Sequence, residues 1–186
     1  MENNFNQMKN DVLNRKDRSF KGSMDKAIFS LCKKINQNKG RYTTSSCSGR
    51  VVIMVDQDKK ENDLFLNIYH DLIKFDKIKK DIFEAKNHRN VKFKQEPCIL
   101  HVACNNLKDA LSLLNKANLS GWKKSGILNI GRRIVVELSS GERLDFPVIA
   151  EGTILVGDKF LRVVVKKANE NLKKSWEKIG KLERMI

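Results

Sequence analysis

The ten residues Arg41-Tyr42-Thr43-Thr44-Ser45-Ser46-Cys47-Ser48-Gly49-Arg50 constrain this chain more than any other stretch, because they set a dense run of hydroxyls directly against the apolar run Val51-Val52-Ile53-Met54-Val55. Tyr42 to Thr44 are good strand formers, and Val51 to Val55 reads as a buried strand. The serines and Gly49 between them predict a tight hairpin turn at a sheet edge. Small residues let a ligand approach the backbone closely, while hydroxyls and exposed N–H groups can surround an anion. Arg50 adds a planar fork suited to a carboxylate or phosphate. The competing reading is a polar turn whose serines bond only their own backbone.

Charge narrows the partners. Lys and Arg number 37 against 22 Asp and Glu, a formal net charge of +15 with a pI near 9.8. This balance favours a polyanion, most simply nucleic acid, since each neutralised phosphate releases counterions. An anionic membrane surface and a merely solvated basic surface are the alternatives. The lysines are spread along the chain, which predicts a broad positive face on a folded body. Cys32, Cys47, Cys98 and Cys104 show no C-x-x-C spacing, so neither a disulfide framework nor a zinc site is expected, and reduced thiols in a cytoplasmic protein are the simplest account. The N-terminus lacks an apolar signal core and no stretch is long enough to span a bilayer, so a soluble protein is expected. With 186 residues and 40% hydrophobic content, the chain is read as one domain over 1–186.

The periodicities predict an α+β fold: a mixed, largely antiparallel sheet with flanking helices and a long C-terminal helix. Phe5, Met8 and Val12 predict a helix over 4–15. Ser23 is the expected cap of a second helix, with Asp25 in its first turn and Met24, Ala27, Ile28, Leu31, Cys32 and Ile35 as its apolar face. Strands are expected at 64–69, at 91–94 as an exposed strand, and at 98–104 as a buried one. A helix is expected over 76–86. Asn106 should cap a helix buried through Leu107, Ala110, Leu111, Leu114 and Ala117. Strands at 125–130 and 134–138 precede a Ser140-Gly141 turn into a strand over 143–148. Asp158 opens the terminal helix.

No phosphate-binding G-x-x-x-x-G-K-[ST] occurs, and no G-x-G-x-x-G follows a strand. The three histidines, His70, His88 and His101, have no metal-ligand spacing. His101 falls where strand alternation sets it opposite Leu100 and Val102, as a structural residue or a functional one. Cys47 is a nucleophile only if a neighbouring cation lowers its pKa, and otherwise fills a turn. Trp122 could stack on a base or pack after a helix. Lys21, Gly22, Ser23 and Asp25 cap a helix and also form an anion-ready helix start.

Taken together, five blocks carry a resemblance. They are Asp17-x-Ser19-x-Lys21-Gly22-Ser23-x-Asp25, the stretch from Tyr42 to Arg50, Glu96-Pro97-x-Ile99-Leu100-His101-Val102, Gly121-Trp122-Lys123-x-Ser125-Gly126-Ile127, and Asn169 in the terminal helix. In this order they resemble the wybutosine-synthesis tRNA methyltransferase family, the third protein of the pathway that builds the tricyclic base at position 37 of tRNA-Phe. Trp122 stands where the family pattern has phenylalanine, and 56–69 matches loosely. The resemblance implies an S-adenosylmethionine-dependent N-methyltransferase acting on a demethylwyosine-type base, with the anticodon arm of tRNA-Phe on the basic surface. It also implies His101, Ser45 and Asp25 as catalytic residues and Ser46, Ser48, Arg50, Lys21 and Ser23 as cofactor-binding residues. A tRNA-binding module without catalysis is the alternative, and a Cys47-nucleophile enzyme is a third reading.

Overall fold

The computed structural model of the protein describes residues 2–15, 24–57 and 64–186. Its elements run α1 (Glu2–Leu13), α2 (Lys26–Gln37), β1 (Arg41–Cys47), β2 (Arg50–Val55), β3 (Phe65–Tyr69) and α3 (Phe75–Glu84). Then follow β4 (Val91–Glu96), β5 (Ile99–Cys104), α4 (Leu107–Leu119), β6 (Gly126–Ile130) and β7 (Ile134–Ser139). The chain finishes with β8 (Leu144–Ala150), β9 (Thr153–Ile154) and the 28-residue α5 (Asp158–Met185). It divides into two compact units, one of Met1–Ser48, Cys98–Gly141 and Ser175–Ile186, the other of Gly49–Pro97 and Glu142–Lys174.

In the first unit an antiparallel sheet runs in the order β1-β5-β7-β6. Side chains alternate across a strand, so Leu100, Val102 and Cys104 of β5 and Val136 and Leu138 of β7 share one face. That face packs against Ile28, Leu31, Cys32 and Ile35 of α2 and Ala110, Leu113 and Ala117 of α4, with Trp122, Ile179 and Leu182 completing the core. The opposite face is covered at one end by α1, where Phe5 packs on Tyr42 and Ala103 with Met8 and Val12 beside it. Phe5 and Tyr42 lie with ring centroids 5.2 Å apart.

In the second unit the sheet order is β3-β2-β4-β8-β9, again antiparallel. Val51, Val52 and Ile53 are fully buried, as the apolar run requires. Phe93 stacks on Phe146, which meets Phe160 of α5 edge-on at 5.5 Å. Asn169 of α5 donates to the Ile73 carbonyl and accepts from its N–H, both at 2.9 Å. The fifth block of the resemblance is therefore a structural clamp within this unit.

Several expectations are corrected. The serine-rich stretch is no hairpin: β1 runs through the serines to Cys47, and β1 and β2 pair in different sheets, joined at Gly49 with φ at 100°. The residues of β1 still lie at a sheet edge, because β5 is their sole strand partner among the described residues. Ser140-Gly141 likewise links strands of two sheets, so the antiparallel arrangement is built as two sheets. The strand at 91–96 is the centre of its sheet, with Val91 and Phe93 fully buried. The buried face of α4 uses Leu113, whereas Leu107 and Leu111 are about half exposed, at 48% and 47%. Helix α2 starts at Lys26, with Asp25 at the N-cap position, while Ser23 and Lys21 lie outside the described residues. Asn106 does cap α4, accepting from the Asp109 N–H at 2.9 Å. Among the described residues, no helix is long and apolar enough to cross a membrane.

Trp122 does not stack on anything outside the fold. It is 0% exposed and donates its indole N–H to the Lys178 carbonyl at 3.1 Å. The rest of its block builds the turn below it: Ser125 Oγ donates to the Trp122 carbonyl at 2.7 Å and accepts from the Ser139 N–H at 3.2 Å. Removing so large a buried side chain leaves a cavity. Trp122→Ala is expected to cost about 3–5 kcal/mol in a urea titration. In a Trp176→Phe background, the fluorescence of the remaining Trp122 should be unchanged by added tRNA, and quenching by direct contact would contradict this placement.

Candidate active site

The chemistry of the first unit gathers on the sheet face that, among the described residues, lies beyond the packing of α1. The register of β1 on β5 is regular at Arg41–Cys104, Tyr42–Ala103 and Thr43–Val102, then shifts so that Ser45 pairs with His101. Thr44 is the extra residue of this bulge. On the other side of β5, His101 pairs with Glu137 of β7, and Glu137 pairs with Gly126 of β6. Ser45, His101 and Glu137 thus form one transverse rung on one face.

The rung is hydrogen-bonded end to end. Ser45 Oγ lies 2.7 Å from His101 Nδ1, and His101 Nε2 lies 2.8 Å from Glu137 Oε2. A carboxylate can only accept, so Nε2 carries the proton, and Nδ1 of the neutral ring is left to accept from the Ser45 hydroxyl. His101 and Glu137 are 30% and 35% exposed, reachable from solvent yet partly shielded. The arrangement gives Ser45 a hydrogen-bonded base, and gives the base an orienting carboxylate.

The other candidate residues are placed as follows. Ser48 is buried, and both its N–H and its hydroxyl donate to Asp25 Oδ2, at 2.9 and 3.1 Å. Asp25, buried at the start of α2, therefore holds the end of the serine stretch, and its negative charge is favourable at a helix N-terminus. Ser46 falls on the helix-facing side of β1, where it bonds to the Cys32 side chain. Arg50 belongs to the second unit, where its Nε donates to Glu96 at 2.6 Å and its guanidinium lies 5.2 Å from the Phe65 ring centroid. Lys21 and Ser23 lie outside the described residues. The structure thus brings Ser45 to His101 and Ser48 to Asp25.

Glu137 is absent from the candidates read off the sequence. Its signal was there, as the lone charge within the apolar run Ile134-Val135-Val136-Glu137-Leu138. A charge on one face of a strand buried on the other signals a face left open to chemistry.

The class this defines is an α+β protein with a hydrogen-bonded Ser–His–Glu rung on one sheet face and without the glycine loop of the doubly wound nucleotide-binding folds. The chain matches the family model described as Methyltransferase TYW3 over residues 3–186, and it belongs to that family. It is therefore an enzyme of the methyltransferase class. Among curated proteins it is 37% identical over 186 residues to the tRNA(Phe) 7-((3-amino-3-carboxypropyl)-4-demethylwyosine(37)-N(4))-methyltransferase of Thermococcus sibiricus, covering 98% of this chain and 94% of the relative. It is 34% identical to the tRNA wybutosine-synthesizing protein 3 homolog of Xenopus laevis, over 94% of this chain and 71% of that one. Among solved structures it resembles the PH1069 protein from Pyrococcus horikoshii with a TM-score of 0.87 and 33% identity, over 98% of this chain and 94% of that one.

The four cysteines lie outside any disulfide, but they are not equivalent. Burial pushes the Cys32 and Cys104 thiols up to about 11, whereas Cys47 is only partly buried. The thiolate is the reactive form, so at pH 8 Cys47 should be alkylated first by iodoacetamide. Cys32 and Cys104 should react only after denaturation. Peptide mass spectrometry over time checks this order, and equal rates for all four would contradict it.

Proposed function

We propose that the protein transfers a methyl group from S-adenosylmethionine to ring nitrogen N4 of the 7-(3-amino-3-carboxypropyl)-4-demethylwyosine at position 37 of tRNA(Phe), the reaction named for its Thermococcus sibiricus relative. The observation that carries the mechanism is the Ser45–His101–Glu137 rung, two contacts of 2.7 and 2.8 Å on an open face.

S-adenosylmethionine, when bound, supplies an electrophilic methyl carbon on a cationic sulfur. The open face suits such a donor, because the partly exposed Glu137 carboxylate favours a nearby cation and Ser45 offers a hydroxyl. A ring nitrogen that gains a methyl group must lose its proton. In this reading Ser45 Oγ accepts that proton while passing its own to His101 Nδ1, which the 2.7 Å contact between them supports. The imidazolium formed is stabilised by Glu137 across Nε2. Positioning supplies a further large share of the rate. The basic surface, at +15 overall, would grip the phosphates of the anticodon arm. The four thiols, none of them in a disulfide, suit a reducing compartment, so we place the reaction in the cytoplasm.

The test uses labelled S-adenosylmethionine with hypomodified tRNA(Phe). His101→Gln should lower the transfer rate by on the order of 10²–10⁴-fold while leaving tRNA affinity within a small factor. Glu137→Gln should fall in the same direction, since an amide N–H facing Nε2 permits the opposite tautomer and takes the acceptor away from Ser45. Normal transfer by both variants would remove the rung from the mechanism. The logarithm of tRNA affinity should fall steeply and linearly with the logarithm of salt concentration, and a flat response would mean that the phosphates are not engaged.

A further inference from the structure

Resting on the activity proposed above, we propose that a cleft at the α1 end of the same sheet face holds a 3-amino-3-carboxypropyl group. Two ligands of the reaction carry that group: the substrate base as its side chain, and S-adenosylmethionine on its sulfur.

The cleft measures about 440 Å³, within the range of small-ligand sites. Arg132 and Arg133 enter it from the β6–β7 turn, and Asp11 and Arg15 from the end of α1 and just beyond. Met8 and Val12 add apolar surface. This set is complementary to an amino-acid tail. Guanidinium groups suit its carboxylate in a planar fork, a carboxylate suits its ammonium, and methyl-bearing side chains suit its methylenes. A site for phosphate alone would gain nothing from Asp11. Arg133 is held in place before any ligand arrives. Its Nη1 donates to Tyr42 Oη at 2.5 Å, and its guanidinium carbon lies 5.7 Å from the centroid of the buried Tyr42 ring. A donor fixed in advance loses little freedom on binding.

Reach is also suitable. Asn129 lines the cleft and pairs with Val135, which stands two residues from Glu137 on β7. Two residues of strand span about 7 Å, and three bonded carbons extend roughly 4 Å beyond their point of attachment. A tricyclic base seated at Ser45 and His101 can therefore send its tail toward the arginines, and so can a sulfonium held beside it.

The test compares the intact protein with the double variant Arg15→Gln/Arg132→Gln and with Asp11→Asn. All three positions are exposed, and thermal melts should superimpose. Methyl-transfer kinetics are measured on two RNAs, hypomodified tRNA(Phe) whose base carries the tail and the same tRNA whose base lacks it. Equilibrium dialysis of S-adenosylmethionine without RNA runs in parallel. A rise in KM of about tenfold or more for the tail-bearing RNA alone assigns the cleft to the base. A similar weakening of S-adenosylmethionine binding, with RNA discrimination unchanged, assigns it to the methyl donor. In either case Asp11→Asn must also weaken binding, because it removes the partner of the ammonium. Three results overturn the assignment: both RNAs weakened alike with donor binding intact, neither ligand affected, or Asp11→Asn tightening the interaction as it would for a simple anion. If the intact protein methylates neither RNA, the activity reading falls, and the dialysis arm alone then supports or overturns the cleft.

Discussion

A single extra residue, Thr44, decides which way the serine stretch faces. Strand side chains alternate with a period of two, so a one-residue slip exchanges every side chain beyond it between the two faces. Tyr42 pairs with Ala103 on the α1 side, and Thr43 pairs with Val102 on the helix-packed side. Without the bulge, Thr44 would meet His101, and Ser45 would meet Leu100 against the core. With it, Ser45 meets His101 on the open face. The bulge is held from both sides. Asn36 of α2 accepts from the Thr43 N–H at 2.7 Å and donates to its hydroxyl at 3.0 Å, while the Thr44 hydroxyl donates to the His101 carbonyl at 3.4 Å. An edge strand has N–H groups without a ladder partner, and here a helix side chain satisfies the one next to the slip.

The rest of the first unit follows from making β5 serve two faces. Leu100, Val102 and Cys104 anchor a core of α2, α4 and the end of α5, which fixes the strand rigidly. That rigidity is what a proton relay needs, since small displacements of reacting groups cost large factors in rate. On the other face, α1 seals one end through Phe5 and Tyr42 and leaves the His101 rung uncovered by that packing. The same helix brings Asp11 to the cleft that Arg132 and Arg133 line.

Much of this was legible in the sequence, and what was missed has identifiable causes. Long periodic segments such as α2 and α5 were readable because their apolar faces repeat over several turns. His101 was readable as the odd polar residue in the run from Cys98 to Cys104. The sequence predicts hairpins at Gly49 and Gly141 because two strands joined by a short turn usually pair, yet both glycines carry the chain from one sheet to another, and no local pattern encodes that choice. The resemblance implies Ser45, but its partner is not legible, because facing depends on a bulge that leaves no mark in residue type. Glu137 was overlooked because its role exists only in the register of three strands. Trp122 reads from sequence as either a stacking platform or packing after a helix, and the choice falls to packing because the core around it includes α5, with its indole N–H bonded to a carbonyl 56 positions later.

The central claim is that a neutral His101, fixed between Ser45 and Glu137, receives the proton of the substrate base. Long-range proton–nitrogen NMR on protein labelled with ¹⁵N-histidine reads both ring nitrogens of His101 directly. The account predicts a proton on Nε2 and a bare, hydrogen-bonded Nδ1, with the His101 signals shifting when hypomodified tRNA(Phe) and S-adenosylhomocysteine are added together. A proton on Nδ1 of the neutral ring, or His101 signals indifferent to that RNA at saturation, would contradict it.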